Sequence, residues 1–433
     1  MTSDGANLVA FSATTNKFPY VTTFSQWTKE FSPVLTICGG VHPTLEPESA
    51  IQAEGLDAIC VGEGENAIID LCDCLQSNKD ITSIPNIWSK KDGEIYRNSP
   101  RPLINNLDSL PFPDRDIFDY ASLYHESNGA ASVMASRGCP YDCAYCCNRA
   151  IRSIYEGQRY VRFRSVPNVI NELKQILTRY PFIRKFAFDD DILPLNKAWF
   201  EEFTAEYRKE VRVPFTCNVR PNLMTEDLAR QLKEAGCDQA NIGIESGNLY
   251  IREEVLNRHL SDEQIISTAG LLKNEGIKVY TYNMVGLPQE SIKEILDTIK
   301  MNARVSPDMA QVSMFYPYHG TKLFEICKES RLLTNKDVRD YFEDTSLNFT
   351  PLRRRQIQFA ALYFPFLLRT YQAFIKKPQK VQPMMVRVLD AILSWKITAF
   401  FVFLPLIQIA RFITKHQTLL NFARALRKRL FIK

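Results

Sequence analysis

Short apolar runs recur along the first 330 residues, separated by longer polar stretches with helical character. In the first eighty residues, "NLVAFSA" (7–13), "VLTICGG" (34–40) and "AICVGEG" (58–64) read as buried strands with helix-like segments between and after them. Strands alternating with helices are the pattern of a parallel sheet with crossover connections. The pattern resumes later and lasts longer, with strands predicted at 131–136, 185–190, 214–219, 239–245, 278–286 and 310–316. The intervening stretches include "VPNVINELKQILTRY" and "TEDLARQLKEAG", the second opening on a Thr cap and stopping at Gly236. The sequence therefore predicts an α/β chain. A truncated Rossmann-like domain (1–80) precedes a proline-rich linker (81–128) and a partial (β/α)6 TIM-like barrel (129–330). A helical, basic and apolar region (331–433) follows.

The linker is marked by "SIPNIW", "SPRPLI" and "SLPFPDRD", which break any regular element. In barrels of parallel strands, chemistry gathers at the C-terminal strand ends. The unusual residues of this chain fall there: a cysteine cluster after the first barrel strand, Asp189, Asp190 and Asp191 after the second, Arg220 after the third, Glu245 and Ser246 after the fourth, and Gly286 after the fifth.

Composition is that of an ordinary globular protein, 45% apolar and 24% charged. No N-terminal apolar run precedes a small-residue cleavage site, so a cytoplasmic chain with reduced thiols is expected. Eleven cysteines then point away from a disulfide framework. Cys38, Cys60, Cys217 and Cys237 sit singly in apolar stretches, as small buried side chains do. The cluster in "SRGCPYDCAYCCNRA" differs. Cys139, Cys143 and Cys146 form C-x3-C-x2-C on a loop after a strand, and three thiolates so spaced can hold a metal centre. Structural zinc takes four ligands, and adjacent Cys147 is a poor fourth because neighbouring side chains diverge. Three ligands suit a four-iron cubane with one iron left open. A zinc knuckle and an unligated reactive loop are the alternatives, and Cys147 is the expected spare.

"CPYDCAYC" resembles the signature of the radical S-adenosylmethionine enzymes, including the aromatic Tyr145 before the third cysteine. "FDDDILPLN" is similar to the acidic motif of the cobalamin-associated branch, and "IGIESG" and "NMVGLPQE" to its later cofactor motifs. The resemblance implies a 4Fe–4S cluster on Cys139, Cys143 and Cys146, with S-adenosylmethionine chelated to the open iron. Reductive cleavage then yields methionine and a 5′-deoxyadenosyl radical, with electrons from a donor such as flavodoxin or ferredoxin. It further implies that Asp190 or Asp191 accepts from the cofactor's ammonium group, that Ser246 and Arg220 bind its ribose and carboxylate with Glu245 beside them, and that Tyr145 and Gly286 flank the adenine. No catalytic acid, base or nucleophile is singled out.

"FSATT", "CGGVHPT" and "DAICVGEGE" resemble the back half of the cobalamin-binding domain that precedes many such barrels. Ligands of doubly wound sheets sit at carboxyl strand ends, so Ser12, Gly39 and Gly40 are the candidate cobalamin contacts. The front half of that domain, with the loop that can carry a cobalt-ligating His, is expected to be missing, and His42 is expected to be a satisfied histidine rather than a ligand. From Pro351 to Lys433 there are sixteen Lys or Arg against one acid, Asp390, a charge of +15; with +4 for the whole chain, residues 1–350 carry −11. The uncharged stretch 397–410 is short for a membrane span of about 20 residues and contains Pro405. A peripheral contact of the tail with the inner face of a membrane is expected, and nucleic acid is disfavoured. Together these features predict a radical enzyme acting on a lipid or another apolar small molecule, by methylation, ring rearrangement or oxidation. The rival readings are a radical enzyme that modifies RNA or a peptide, and a non-catalytic membrane-bound partner subunit.

Overall fold

Two sheets follow one another along the chain in the computed structural model, which describes residues 6–123, 128–334, 342, 344–398, 402–403 and 405–408. The first contains β1 (Leu8–Ser12), β2 (Leu35–Gly39) and β3 (Ala58–Cys60), parallel and adjacent in that order. They are connected by α1 (Phe18–Phe31) and by the short pair α2 (Val41–Leu45) and α3 (Pro47–Ile51); α4 (Glu65–Gln76) follows β3. Every residue of β3 is buried, as expected of a strand covered on both faces. The predicted linker begins differently from expectation. Residues 87–97 form an antiparallel hairpin, β4 (Ile87–Lys91) and β5 (Glu94–Arg97), which pairs with β3 and widens the sheet to five strands. Asp92 and Gly93 at its turn both have positive φ, 51° and 81°, the pattern of a two-residue hairpin turn.

The second sheet is all parallel, in the order β13-β12-β11-β10-β9-β6. Along the chain its elements are β6 (Ala130–Val133), β7 (Ser136–Arg137), α5 (Cys147–Ile154), β8 (Arg162–Phe163), α6 (Val166–Arg179), β9 (Lys185–Phe188) and α7 (Lys197–Glu210). Then come β10 (Phe215–Val219), α8 (Glu226–Ala235), β11 (Cys237–Glu245), α9 (Asp262–Asn274), β12 (Lys278–Val285), α10 (Ile292–Val305), β13 (Met309–Met314) and α11 (Lys322–Glu329). All six predicted barrel strands are present, curled into a partial barrel, while β7 and β8 form a small separate ladder. Burial alternates along β11: Ala240, Ile242 and Ile244 face the helices, and Gln239, Asn241, Gly243 and Glu245 face the concave side. Phe186, Phe188 and Phe215 on the strands meet Phe200 and Phe203 of α7, all fully buried. Each such side chain is worth about 1.5–3 kcal/mol of burial.

The C-terminal region is not a loose tail as far as it is described. α12 (Pro351–Leu362), α13 (Phe364–Ile375) and α14 (Gln382–Ser394) pack on α10, burying Phe359, Phe364, Leu367, Tyr371, Leu393 and Phe403 in one cluster. No helix among the described residues is long and apolar enough to cross a membrane. The basic segment predicted to close the chain, from Asn421 on, lies outside the described residues.

Candidate functional site

The cysteine loop runs from the end of β7 into α5, with Cys146 as the residue preceding the helix and Cys147 its first residue. Two later segments hold it in place. The Ala144 amide donates to the Leu256 carbonyl at 2.8 Å, and the Ala144 carbonyl accepts from the Leu323 amide at 2.9 Å. Asn257 Nδ2 donates to the Asp142 carbonyl at 2.8 Å. The Leu256–Asn257 turn follows a π-helical turn, Ile251–Val255, anchored by Arg252. That arginine is fully buried and donates to the Leu260 and Ser246 carbonyls and to Asp262.

Two buried arginines converge on one thiol. Arg220 Nη1 lies 3.8 Å and Arg258 Nη1 3.7 Å from Cys143 Sγ. Arg220 also stacks on the Tyr141 ring, with its guanidinium carbon 3.7 Å from the centroid. Arg258 is tied to the Gly243 carbonyl at 2.6 Å and to Tyr145 Oη at 3.3 Å. Asn148 Nδ2 points at Cys146 Sγ from 3.6 Å and donates to Asp191 Oδ1 at 3.0 Å, while Tyr160 Oη donates to Asn148 Oδ1 at 2.8 Å. Donors and cations aimed at sulfur suit thiolates that carry an anionic iron–sulfur cluster. Arg220 Nε is buried without a hydrogen-bond partner, a donor that fits an anionic ligand group. Among the described residues no group of three or more His, Cys, Asp or Glu is placed to hold a single metal ion.

The other predicted residues divide. Asp191 stands by the cysteine loop through Asn148, and burial pushes its carboxyl up. Asp190 is fully buried and accepts from the Ala135 amide at 3.0 Å and from Ser136 Oγ; burial raises it to about 6. It braces the segment just before the cysteines. Glu245, with φ 64°, lies on the concave side among Tyr145, Arg258 and Arg220, and burial raises its carboxyl against their pull. Ser246 is fully buried, with its hydroxyl 3.5 Å from Thr298 Oγ1 of α10. The Gly286 amide is already used, donating to Glu290 Oε2 at 2.6 Å, as does the Leu287 amide at 3.1 Å. Arg258 and Glu290 were missed by sequence reasoning.

The first domain meets the barrel at its strand ends. Ser12 and Gly39 are register partners, the Ala13 amide donates to the Gly39 carbonyl and the His42 amide to the Ala13 carbonyl, so the two loops form one ledge. His42 is buried with its ring 4.2 Å from that of Phe18 and Nδ1 3.3 Å from Thr15 Oγ1. Burial and neighbouring His319 lower its pKa to about 4, so it is a neutral packed ring. His319, after β13, reaches Glu46 at 3.2 Å. Beside it, Glu63 accepts from Arg137 Nη1 at 2.8 Å, Arg162 Nη2 at 2.9 Å and the Ile104 amide at 2.9 Å, and Arg137 also pairs with Glu65. Burial alone would raise the Glu63 carboxyl, but Arg162, Ile104 and Arg137 hold it below the usual range. The turn is closed by Gly62 at φ 87°, where a Cβ would clash with Tyr155 Oη. This clamp ends two residues before Cys139.

A half-barrel with three loop cysteines under arginine cover defines an iron–sulfur enzyme. The sequence pattern of the radical SAM superfamily matches residues 133–301. An uncharacterized methyltransferase of Pyrococcus horikoshii is 30% identical over 338 residues, covering 77% of this chain and 72% of that one. An anaerobic magnesium-protoporphyrin IX monomethyl ester cyclase of Rubrivivax gelatinosus is 27% identical over 69% of this chain and 54% of its own length. The chain thus spans just over half of the cyclase. Among solved structures, the radical S-adenosylmethionine methyltransferase TsrM from Kitasatospora setae, with cobalamin and a 4Fe–4S cluster bound, has a TM-score of 0.61 at 14% identity, covering 76% of this chain and 68% of that one. The cobalamin-dependent enzyme OxsB with aqua-cobalamin bound has a TM-score of 0.63 at 16% identity, over 90% and 63%. The chain belongs to the radical SAM superfamily, whose cofactors are a 4Fe–4S cluster and S-adenosylmethionine.

Proposed function

We propose that this radical enzyme uses cobalamin, seated on the ledge of Ser12, Gly39 and Gly40, to methylate an unactivated carbon of an apolar small molecule. The observation that carries the reading is the meeting of the two domains at the carboxyl ends of their strands, joined through Glu63–Arg137 and Glu46–His319. A methyl carrier has to face both the cofactor and the substrate, and that arrangement brings its candidate ledge to the cysteine side of the barrel. The names of relatives support the reaction class, since both the archaeal methyltransferase and TsrM carry it. When bound, S-adenosylmethionine and cobalamin supply the abstracting radical and the transferable methyl group.

The chain's own residues then have distinct tasks. Cys139, Cys143 and Cys146 hold the cluster, with Cys147 as the spare. Arg220, whose Nε is buried and unpartnered, receives the carboxylate of S-adenosylmethionine. Asp191 is the acceptor for its ammonium group, because Asp190 is committed to Ala135 and Ser136. Tyr145 and Glu245 line the concave side nearest the adenosyl group. On that side Gln239, Asn241, Tyr280 and Tyr282 are uncharged and half-buried. A flavodoxin- or ferredoxin-type protein supplies the electron.

The test is anaerobic dialysis of reconstituted protein against hydroxocobalamin, followed by cobalt analysis, with Gly39→Phe as the variant. A Cβ at Gly39 would be in ordinary contact with Cys60 Cβ, at 3.7 Å, so a side chain can start from this position without a backbone clash. About one cobalt per chain is expected for the parent, with loss in the variant while the cluster remains. Methyl-deuterated S-adenosylmethionine should then yield labelled methylcobalamin. Absence of cobalt in the parent would remove cobalamin from the account, and equal cobalt in both proteins would remove it from this ledge.

A further inference from the structure

α14 is apolar on two sides. Its inner side, with Val386, Leu389 and the buried Leu393, packs into the cluster built on α10 and α13. Its outer side carries Met384, Val388, Ile392 and Trp395, which are 63%, 52%, 50% and 60% exposed. Their spacing of four, four and three places them in one stripe along the helix. An ordinary surface helix has one apolar stripe and a polar opposite face. Here the opposite face is apolar too, and nothing among the described residues covers it.

The charges around the stripe say what does. Lys376, Lys377 and Lys380 are exposed in the turn before α14, Arg387 is exposed on it, and Lys396 follows it. The one acid from residue 351 onward, Asp390, is turned inward, where it meets Lys300 at 3.0 Å and Tyr371 Oη. The outer side of α14 therefore offers apolar area and cations with no acid. Beyond it the sequence adds seven more Lys or Arg between 411 and 433, again with no acid. Like charge disfavours a second copy on this face. At 13 residues the helix is about 20 Å long, which suits lying along a surface and not crossing a bilayer.

We propose that the outer face of α14 is a membrane-docking face, with Met384, Val388, Ile392 and Trp395 entering the headgroup–acyl boundary of an anionic lipid surface and the flanking lysines meeting its phosphates. The inference goes beyond the reaction proposed above and stands independently of cobalamin. It gives a radical enzyme with an apolar substrate a place to meet it.

The test uses the full chain with its reconstituted cluster, sedimented with vesicles of phosphatidylcholine alone or enriched in phosphatidylserine. At least about tenfold stronger binding to the anionic vesicles is expected, weakened but not abolished by moderate salt. Trp395 emission should shift to the blue with those vesicles, and Trp395→Phe should remove the shift. The combined variant Met384→Ser, Val388→Ser, Ile392→Ser should lose vesicle binding with its thermal midpoint unchanged. Equal binding to both vesicle types, or unchanged binding by the variant, overturns the proposal. So does a lowered midpoint in the variant, which would mean that the chain's own residues beyond 408 cover the stripe. Concentration-dependent dimerisation abolished by the variant would assign the face to a second copy and equally overturn it.

Discussion

At the scale of single residues, Arg258 shows how the site exceeds its motif. Its guanidinium lies between Cys143 Sγ, Tyr145 Oη and the Gly243 carbonyl, and burial is outweighed by Tyr145, Glu245 and Cys143, which keep it charged. A cation against a cluster thiolate favours the more negative, reduced state. Arg258→Met should therefore lower the reduction potential of the cluster and diminish the reduced-cluster EPR signal at a given dithionite concentration, while iron content stays near the parent level. Unchanged reducibility would make Arg258 a purely structural residue. Glu290 makes a different prediction. Burial pushes its carboxyl up to about 8 from an ordinary 4.5, against the pull of the Leu287 and Gly286 amides and Arg353. The folded chain keeps this proton to higher pH than the unfolded chain does. The stability it contributes is complete below pH 4.5 and is lost as pH rises towards 8. Glu290→Gln should flatten the fall in urea midpoint across that window. The cysteines were legible because their spacing is local. Arg258 was not, because it lies 115 positions from the thiol it serves and no short motif surrounds it. Ser246 shows the same limit: the strand's end was legible, but not the bulge near Glu245 or the Thr298 hydroxyl that Ser246 faces.

At the scale of elements, the hairpin β4–β5 was legible but unread. "KKDGEI" carries the Asp-Gly pair that sets such a turn, within a stretch whose prolines predict a linker. The hairpin and the segment after it carry the chain past Ile104 to the clamp on Glu63. That clamp was invisible in sequence, since its partners are up to 99 positions apart. Arg162 has 3% and Glu63 16% of its side chain exposed. Removing one partner of a buried pair leaves the other charge uncompensated, at a cost of about 3–5 kcal/mol. Glu63→Gln should destabilise the chain towards that range in urea unfolding and let the cluster be lost faster on mild chelation. Glu65→Gln, at a more exposed pair, should cost less than about 1 kcal/mol. Equal effects of the two variants would show that the clamp does not govern the cysteine loop.

At the scale of the whole molecule, the order of domains and all six barrel strands were legible, because buried parallel strands leave continuous apolar runs and their helices leave caps and glycine stops. The C-terminal region was legible in composition but not in attachment. Its charge and apolar content predicted helices and a surface contact but no packing partner, and Leu393, Phe403 and Ile407 are buried in a cluster with Leu296 and Ile299 of α10. Periodicity marks an apolar helix without saying which neighbour covers it. The central claim concerns the whole molecule: the half-barrel, its arginine-covered cysteine loop and the clamp beneath it form a site for reductive cleavage of S-adenosylmethionine. The most direct measurement is the yield of 5′-deoxyadenosine from anaerobically reconstituted protein, reduced with dithionite in the presence of S-adenosylmethionine, for the parent and for Cys143→Ala and Cys147→Ala. The parent and the Cys147 variant should each hold a four-iron cluster and release 5′-deoxyadenosine slowly, and the Cys143 variant should do neither. A parent protein that holds its full complement of iron and sulfide yet forms no 5′-deoxyadenosine would contradict the account.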